Sequence, residues 1–289
     1  MRCDFVHFQG IPARGKSRPS LPPIPRVPVA VESGEAQEFF RELLVTVGLS
    51  SDSYRSSALL RRVPACLRFL RAKDLAAARV KLAGNPSLAR ATVHVVLLGV
   101  TEFCRDQPVF QYLRERVIPE LALLGRPLHV WSAACSDGRE LYSLAILLHE
   151  AGLLTTAHLL GTDCRSEAIE HARKAQYASD ALDKLDHGWK NHFITDRDGI
   201  RPSETLKSRL RWKQADLLRG AEPGPWDVVS WRNMAIYLEP QTASRLWDEV
   251  LHVLAPGGFL VTGKADHPPR HPHLEKLAPC VYRKALPVS

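Results

Sequence analysis

The run VWSAACSDGRELYSLAILL, Val130 to Leu148, decides the fold class. It opens on an apolar strand read from Pro127 to Ala133 and passes through a turn of small residues. It then becomes a helix with Leu141, Leu144, Ala145 and Leu148 on one face. Working outward, a second apolar strand, Ala157 to Thr162, stops at Asp163 and leads to a helix over Glu167 to Gln176. Strands recur at Leu210 to Gln214, Trp226 to Trp231 and Phe259 to Thr262, with a helix at Thr242 to Leu254 before the last. Strands alternating with helices predict a mainly parallel sheet covered on both faces, an α/β domain over 125–289 with a short insertion around 178–209.

Upstream the texture is helical. Phe39, Phe40, Leu43 and Leu44 keep helical spacing up to Gly48, and Leu59, Leu60, Val63, Leu67 and Leu70 mark a second helix. Further helices are expected over Leu75 to Leu82, Leu88 to Leu98 and Pro108 to Leu124, so that 34–124 is a small all-helical domain. Residues 1–33 hold Pro12, Pro19, Pro22, Pro23, Pro25 and Pro28, which reads as a flexible leader. With 289 residues, the chain has room for this arrangement.

Composition narrows the function classes. No run approaches the ~20 apolar residues of a membrane span, and the first residues lack a signal-peptide core, so a cytoplasmic protein is expected. Six scattered cysteines form no CxxC pair, which argues against a zinc site or a disulfide scaffold. A metal at His267, His271 and His273 is a weaker reading than a solvated Pro/His loop. The net charge of +8 favours acidic partners. No basic run interleaved with aromatics points to nucleic acid. Arg61, Arg62 and Arg68 lie in the second helix, either as a plain solvated basic face or as a docking surface for an acidic helix.

In a parallel sheet of this kind the ligand sits beyond the carboxyl ends of the strands. The turn Ser132 to Glu140 holds one glycine, Gly138, so it is not the dinucleotide fingerprint, and no P-loop occurs in the chain. Asp163 ends the next strand, where a carboxylate can take both hydroxyls of a ribose. A helix N-cap role for Asp163 or Ser166 is the structural alternative. The strand Trp226 to Trp231 runs into Arg232, Asn233 and Tyr237, which should face the crevice.

Together these segments resemble the CheR-type methyltransferases, which use S-adenosylmethionine to methylate glutamates of chemotaxis receptors. VWSAACSDGRELYSLAILL is similar to the family's AxCSxGEEPYS motif, LLGTDCRSEAIEHARKAQY to its second-strand motif, and WDVVSWRNMAIYL to FDxIxCRNVxIYF. LAPGGFLVTGKAD is similar to LxPGGxLxxGHSE, and GVTEFCRDQPVF to NxTxFFRDxxxF. Five matches in register, covering about Gly34 to the end, imply a Rossmann-like S-adenosylmethionine-dependent methyltransferase domain preceded by a small helical domain. The resemblance implies that Thr101 and Arg105 reach the cofactor from the helical domain. Ala134 lines the cofactor site in the first turn and Glu140 lies near the amino-acid end. Asp163 takes the ribose, and Asp216 and Leu217 sit by the adenine. Arg232 and Asn233 lie against the cofactor, with Tyr237 near the methyl group. Arg105 and Tyr237 are then the catalytic pair that orients the acceptor carboxylate, and an acidic, glutamate-rich helical protein is the implied partner.

A glutamate carboxylate is already ionised at neutral pH, so the chemistry asks for alignment and water exclusion rather than a strong base. The chain departs from the family pattern at several positions. Gly99 and Asp216 stand where it has Asn, Cys104 where it has Phe, and Arg139 and Leu141 where it has Glu and Pro. Lys264-Ala265-Asp266 replaces HSE. The segment between Tyr177 and Leu210, matching the family's receptor-docking β-subdomain, is short. Two other readings stand beside protein-glutamate methylation: a methyltransferase with a different acceptor, and a catalytically silent cofactor-binding or docking module. Nucleic-acid methylation ranks lower.

Overall fold

Helix α1 (Ser33–Thr46) buries Phe39, Phe40, Leu43 and Leu44 on one stripe, and Gly48 at φ +79° turns the chain just beyond it. In the computed structural model that provides these coordinates, residues 33–97, 101–183, 185 and 187–286 are described. Residues 1–32 of the expected leader over 1–33 and the departure at Gly99 lie outside them, and Ser33 opens α1. The second expected helix is two, α2 (Ser56–Leu60) and α3 (Val63–Leu70). Pro64 sits in the first turn of α3 and has no N–H to return to Leu60 O, so the hydrogen-bonded ladder stops and restarts there. Helix α4 (Leu75–Leu82) is capped by Asp74, whose carboxylate accepts from Ala77 N at 2.8 Å, and α5 (Pro86–Leu97) follows.

His94 on α5 has an Nδ1 buried without a hydrogen-bond partner among the described residues. Burial, and then the nearby charge of Arg165, lower its pKa from the ordinary value. The unfolded chain therefore takes up the proton first as pH falls, so stability is complete above about pH 6.5 and declines below it. Urea unfolding at about pH 7.5 and about pH 5.5 should show the decline, and His94→Gln should flatten it. An unchanged slope in the variant would remove His94 as the cause.

The last expected helix of this part forms as one continuous helical run over 107–122, with a wider turn inside it. Helix α6 (Gln107–Tyr112) passes through a π-helical turn, Leu113–Val117, into α7 (Ile118–Ala122). Pro119 has no N–H to return to the preceding turn, and the chain meets this by widening the helix before it. Then come β1 (His129–Ala133), α8 (Arg139–Glu150), β2 (His158–Asp163) and α9 (Ser166–Lys174). The segment 178–209 holds α10 (His187–Lys190), the hairpin of β3 (Phe193–Asp196) and β4 (Gly199–Pro202), and α11 (Glu204–Lys207). The chain continues through β5 (Leu210–Gln214), β6 (Trp226–Trp231), α12 (Pro240–Val253) and β7 (Leu254–Thr262). It closes on β8 (Leu274–Ala278) and β9 (Val281–Lys284).

The sheet order is β5-β2-β1-β6-β7-β9-β8. The first five strands in that order run parallel, while β9 is antiparallel to β7 and β8 antiparallel to β9. The final hairpin is an addition to the strands expected from sequence. Its edge strand β8 has no fully buried residue, so no apolar alternation marks it. From β1 the chain builds outward through β2 and β5, then returns to start β6 on the other side of β1. That switch between β1 and β6 opens a crevice at the carboxyl ends of the strands.

The helical part is fastened to this crevice. Tyr54 bridges Leu238 in antiparallel fashion, Arg55 N donates to Tyr237 O at 2.8 Å, and Glu239 N donates to Ser53 O at 2.9 Å. Arg55 Nε adds a bond to Leu238 O at 2.7 Å. The described residues of both parts fall in one compact unit, Glu32–Ser289.

Candidate functional site

The loops at the carboxyl ends of β1, β2, β5 and β6 meet α2, Arg62, α5 and the Thr101–Arg105 segment around an open cleft of about 920 Å³, its solvent-filled mouth included. Thr101, Arg105, Ala134, Asp163, Asp216, Leu217, Arg232, Asn233 and Tyr237 all line it. Of the residues singled out from sequence, Glu140 alone is not among the lining groups. Arg165, Tyr54 and Arg62 line the same cleft and were not read as cofactor-site residues from sequence.

Strained backbone concentrates here. Cys104, Asp106, Ala134, Ser136 and Asn233 hold φ between +50° and +63°, five of the eight non-glycine residues with positive φ among those described. Each such conformation costs on the order of 1 kcal/mol, so the surroundings must enforce it. At Gly138, φ is +86° and a Cβ would stand 2.6 Å from the Trp212 ring, so the turn between β1 and α8 requires glycine.

Asp163 is 3% exposed and is held in the turn rather than acting as a helix cap. Its Oδ2 accepts from Ser136 N at 2.9 Å, and its Oδ1 from Arg165 N at 3.0 Å. Arg165 also forks onto it, Nε to Oδ1 at 2.8 Å and Nη2 to Oδ2 at 3.0 Å. One carboxylate thus ties the end of β2 to the turn after β1. The N-cap position of α9 belongs to Arg165, which makes no side-chain cap.

Arg232 forms the floor, with Glu140 behind it. Ser132 Oγ donates to Glu140 Oε1 at 2.8 Å, and Arg232 Nη1 lies 3.3 Å from Glu140 Oε2. Buried Arg232 also donates from Nη2 to Arg105 O at 2.8 Å and to Asp106 Oδ2 at 2.7 Å, and from Nε to Thr262 O at 3.3 Å. Glu140 therefore acts on the cleft through Arg232. Lys264 Nζ, at 2.9 Å from Asp106 Oδ1, gives that carboxylate a second cation. Burial works against ionisation of Asp106, but the Lys264 hydrogen bond and the Arg232 charge hold its pKa below the ordinary value. Lys264, one of the departures from the family pattern, is thus used.

Asp266 carries a function that sequence did not reveal. It is 2% exposed, and its carboxylate accepts from the backbone N–H of Asn233, Ile236 and Gly263. Burial raises its pKa, opposed by these same three bonds. It pins the loop after β6 to the end of β7 and holds Asn233 in its left-handed conformation. A Cβ at Gly263 would stand 2.5 Å from both Asn233 Nδ2 and Asp266 Oδ2, so the approach is closed to larger residues.

On the helical side, Thr101 Oγ1 donates to Asp137 Oδ2 at 2.8 Å, and Arg139 Nη1 to Thr101 O at 2.6 Å. The Arg139 guanidinium lies 5.0 Å from the Tyr177 ring centroid, and Tyr177 OH donates to Asp137 O at 2.7 Å. Arg139, another departure, thus clamps Thr101 to the first turn. At the opposite wall, Asp216 Oδ1 accepts from Leu218 N at 3.0 Å, capping a short turn that presents the buried Leu217 to the cleft. Arg62 turns inward, Nη2 donating to Tyr237 OH at 3.0 Å with its guanidinium 5.6 Å from the ring. Arg61 and Arg68 stay exposed on the outer surface.

Residues 99–283 match the family described as CheR methyltransferase, SAM binding domain. The chain is 28% identical over 249 residues to a chemotaxis protein methyltransferase of Vibrio parahaemolyticus, covering 82% of this chain and 90% of that one. It is 26% identical over 240 residues to chemotaxis protein methyltransferase 2 of Pseudomonas aeruginosa, covering 80% and 85%. To the probable biofilm formation methyltransferase WspC of Pseudomonas putida it is 29% identical over 237 residues, covering 80% and 56%.

Proposed function

The chain belongs to the CheR methyltransferase family, and on that premise we propose that it methylates glutamate side-chain carboxylates of a chemoreceptor-like helical protein. S-adenosylmethionine is the cofactor, and the cleft fits it. Apolar Leu217 and Val96 line the cleft together with Asp163, Asp216 and Arg165 at the carboxyl ends of the strands, and a buried guanidinium nitrogen of Arg165 has no acceptor among the described residues. Leu217 and Asp216 would hold the adenine end, the Asp163–Arg165 pair the ribose, and Thr101, Ala134 and Asn233 the remainder. Glu140 would set the amino-acid end through Arg232.

The bound cofactor supplies an electrophilic methyl on a cationic sulfur, so that an acceptor oxygen gains the O–CH₃ bond as the C–S bond breaks to a neutral thioether. An ionised glutamate needs no base to do this. The work of the protein is alignment and water exclusion. Arg105 and Tyr237 line one cleft together, and this is the observation that carries the proposal. A guanidinium and a phenol can grip a carboxylate by charge-assisted hydrogen bonds. Arg62 positions that phenol. The exposed Arg61 and Arg68 extend the positive charge to the outer surface, where an acidic helix would approach.

The test is transfer of a tritiated methyl group to the glutamate-rich cytoplasmic fragment of a chemoreceptor, followed by mild alkali. Carboxyl methyl esters release the label as methanol. Label that resists alkali would point to a different acceptor chemistry, and no transfer to a carboxylate-rich helix despite cofactor binding would favour a silent module. In the same assay Tyr237→Phe should lower turnover roughly tenfold, the worth of one hydrogen bond to a charged group, with cofactor-product affinity changed less than about twofold. Arg62→Met should match it, and the double variant should be no worse than either. Additive losses would separate Arg62 from Tyr237.

A further inference from the structure

The departures from the family pattern are not scattered in space. Cys104, Arg139 and Lys264 meet at one segment, Thr101 to Asp106, which supplies Thr101 and Arg105 to the cleft. The segment is neither helix nor strand, and side chains from elsewhere satisfy three of its backbone groups. Thr101 O accepts from Arg139 Nη1 at 2.6 Å, Cys104 N donates to Ser143 Oγ at 2.9 Å, and Arg105 O accepts from Arg232 Nη2 at 2.8 Å. Cys104 at φ +50° and Asp106 at φ +63° flank Arg105, so its backbone direction depends on what holds the two ends.

At one end, the Arg139 guanidinium pairs with Asp137, Nε to Oδ2 at 3.4 Å, and lies 5.8 and 5.0 Å from the Phe103 and Tyr177 ring centroids. Thr101 Oγ1 donates to the same Asp137 oxygen at 2.8 Å. At the other end, Lys264 Nζ stands 2.9 Å from Asp106 Oδ1, and Arg232 takes Oδ2. The family pattern has an open position at 137, Glu at 139 and His at 264, so a permanent positive charge is gained beside a carboxylate at each end. A chain losing its function sheds motif residues without regard to their neighbours, whereas these changes complement one another. We propose that Arg139 and Lys264 are positioning residues that fasten residues 101–106, and with them Arg105, at the wall of the cleft. The proposal rests on the cofactor reading of that cleft and deepens it.

The experiment measures hydrogen exchange over residues 101–106, and S-adenosylhomocysteine affinity by calorimetry, in the full chain and its variants. Arg139→Met should speed exchange of the segment about tenfold and weaken the ligand to a similar extent, with β1 and β6 exchanging as in the native chain. Lys264→Met removes an exposed ion pair, so about threefold is expected on both counts, and Lys264→Arg should stay within about twofold of native. Raising salt from about 0.05 M to about 0.5 M should speed exchange of the native segment and leave Lys264→Met unchanged, because the exposed pair is screened. Arg139→Glu restores the family residue yet should do worse than Arg139→Met, since it sets a second carboxylate against Asp137. Native exchange of the segment in both methionine variants overturns the proposal, as does Arg139→Glu binding as tightly as the native chain. Loss of a merely structural residue would speed exchange in α8 and the strands alike, which also overturns it. Should the Arg139 variants fail to fold, Lys264→Met, its salt response and Lys264→Arg decide alone, since that side chain is 70% exposed. A native chain that binds no S-adenosylhomocysteine defeats the cofactor reading, and exchange then still judges the fastening. Native binding with unchanged exchange in the variants defeats this proposal alone.

Discussion

Replacing Asp266 with alanine will lower the unfolding free energy by about 3 to 5 kcal/mol, from three buried N–H donors left unsatisfied at roughly 1 to 3 kcal/mol each and partly relieved by relaxation. The reason is geometric. Three backbone N–H groups, from Asn233, Ile236 and Gly263, converge on one carboxylate, and no solvent reaches the side chain to replace it. Each orphaned donor is costly, and Asn233 at φ +59° then loses what holds it in an unfavourable backbone region. In a domain of this size the change corresponds to a fall in Tm of about 10 °C. Asp266→Asn can keep its amide oxygen on Asn233 N and Gly263 N and leaves only Ile236 N facing an NH₂, so it should recover a large part of the loss. Denaturant unfolding decides the matter, and a loss below about 1 kcal/mol in the alanine variant would show that the loop is held by other contacts. Because Asn233 and Met234 line the cleft, S-adenosylhomocysteine affinity should fall along with stability.

The second large effect is expected at Arg232. Arg232→Met should weaken S-adenosylhomocysteine binding by about a hundredfold and reduce methyl transfer at least as much, since a truncated buried charge pair typically costs 2 to 5 kcal/mol or roughly that factor and more. The guanidinium holds Glu140, Asp106, Arg105 O and Thr262 O at once, and its side chain is 2% exposed. Without it, Glu140 and Asp106 lose the cation they share, and the Arg105 carbonyl loses its bond from Nη2. Arg232→Lys should rescue little, because one ammonium cannot reach four acceptors laid out for a planar fork. Pairing Arg232→Met with Glu140→Gln should restore part of the loss, since the second change removes a charge that the first left unpaired. Calorimetry of the three variants tests this, and strictly additive losses would mean that Glu140 does not act through Arg232.

Sequence reading reached the parallel strands because most are apolar runs bounded by turn residues and β5 alternates Leu210 and Trp212 with Arg211 and Lys213, and period and composition are local properties. It missed β8 and β9 for the same reason, since an edge hairpin with half-exposed residues carries no such local mark. It read one helix across Leu59 to Leu70 because apolar spacing runs through Pro64, whose effect is on backbone rather than on pattern.

For the site, the chain order of its motifs was enough to place nine of the ten singled-out residues around one cleft, because parallel α/β connections bring every strand's carboxyl end to the same edge. What the tertiary structure alone decided is which polar groups are free to meet a ligand and which are consumed by one another. Asp163 is engaged by Arg165 and by Ser136 N, Glu140 pairs with Arg232, and Arg62 faces Tyr237 across 175 positions of chain. Residue type and position along a strand are written locally, and so they can be read there. Hydrogen-bond capacity is shared among groups distant in sequence, so it exists only once the fold has brought the donors and acceptors together.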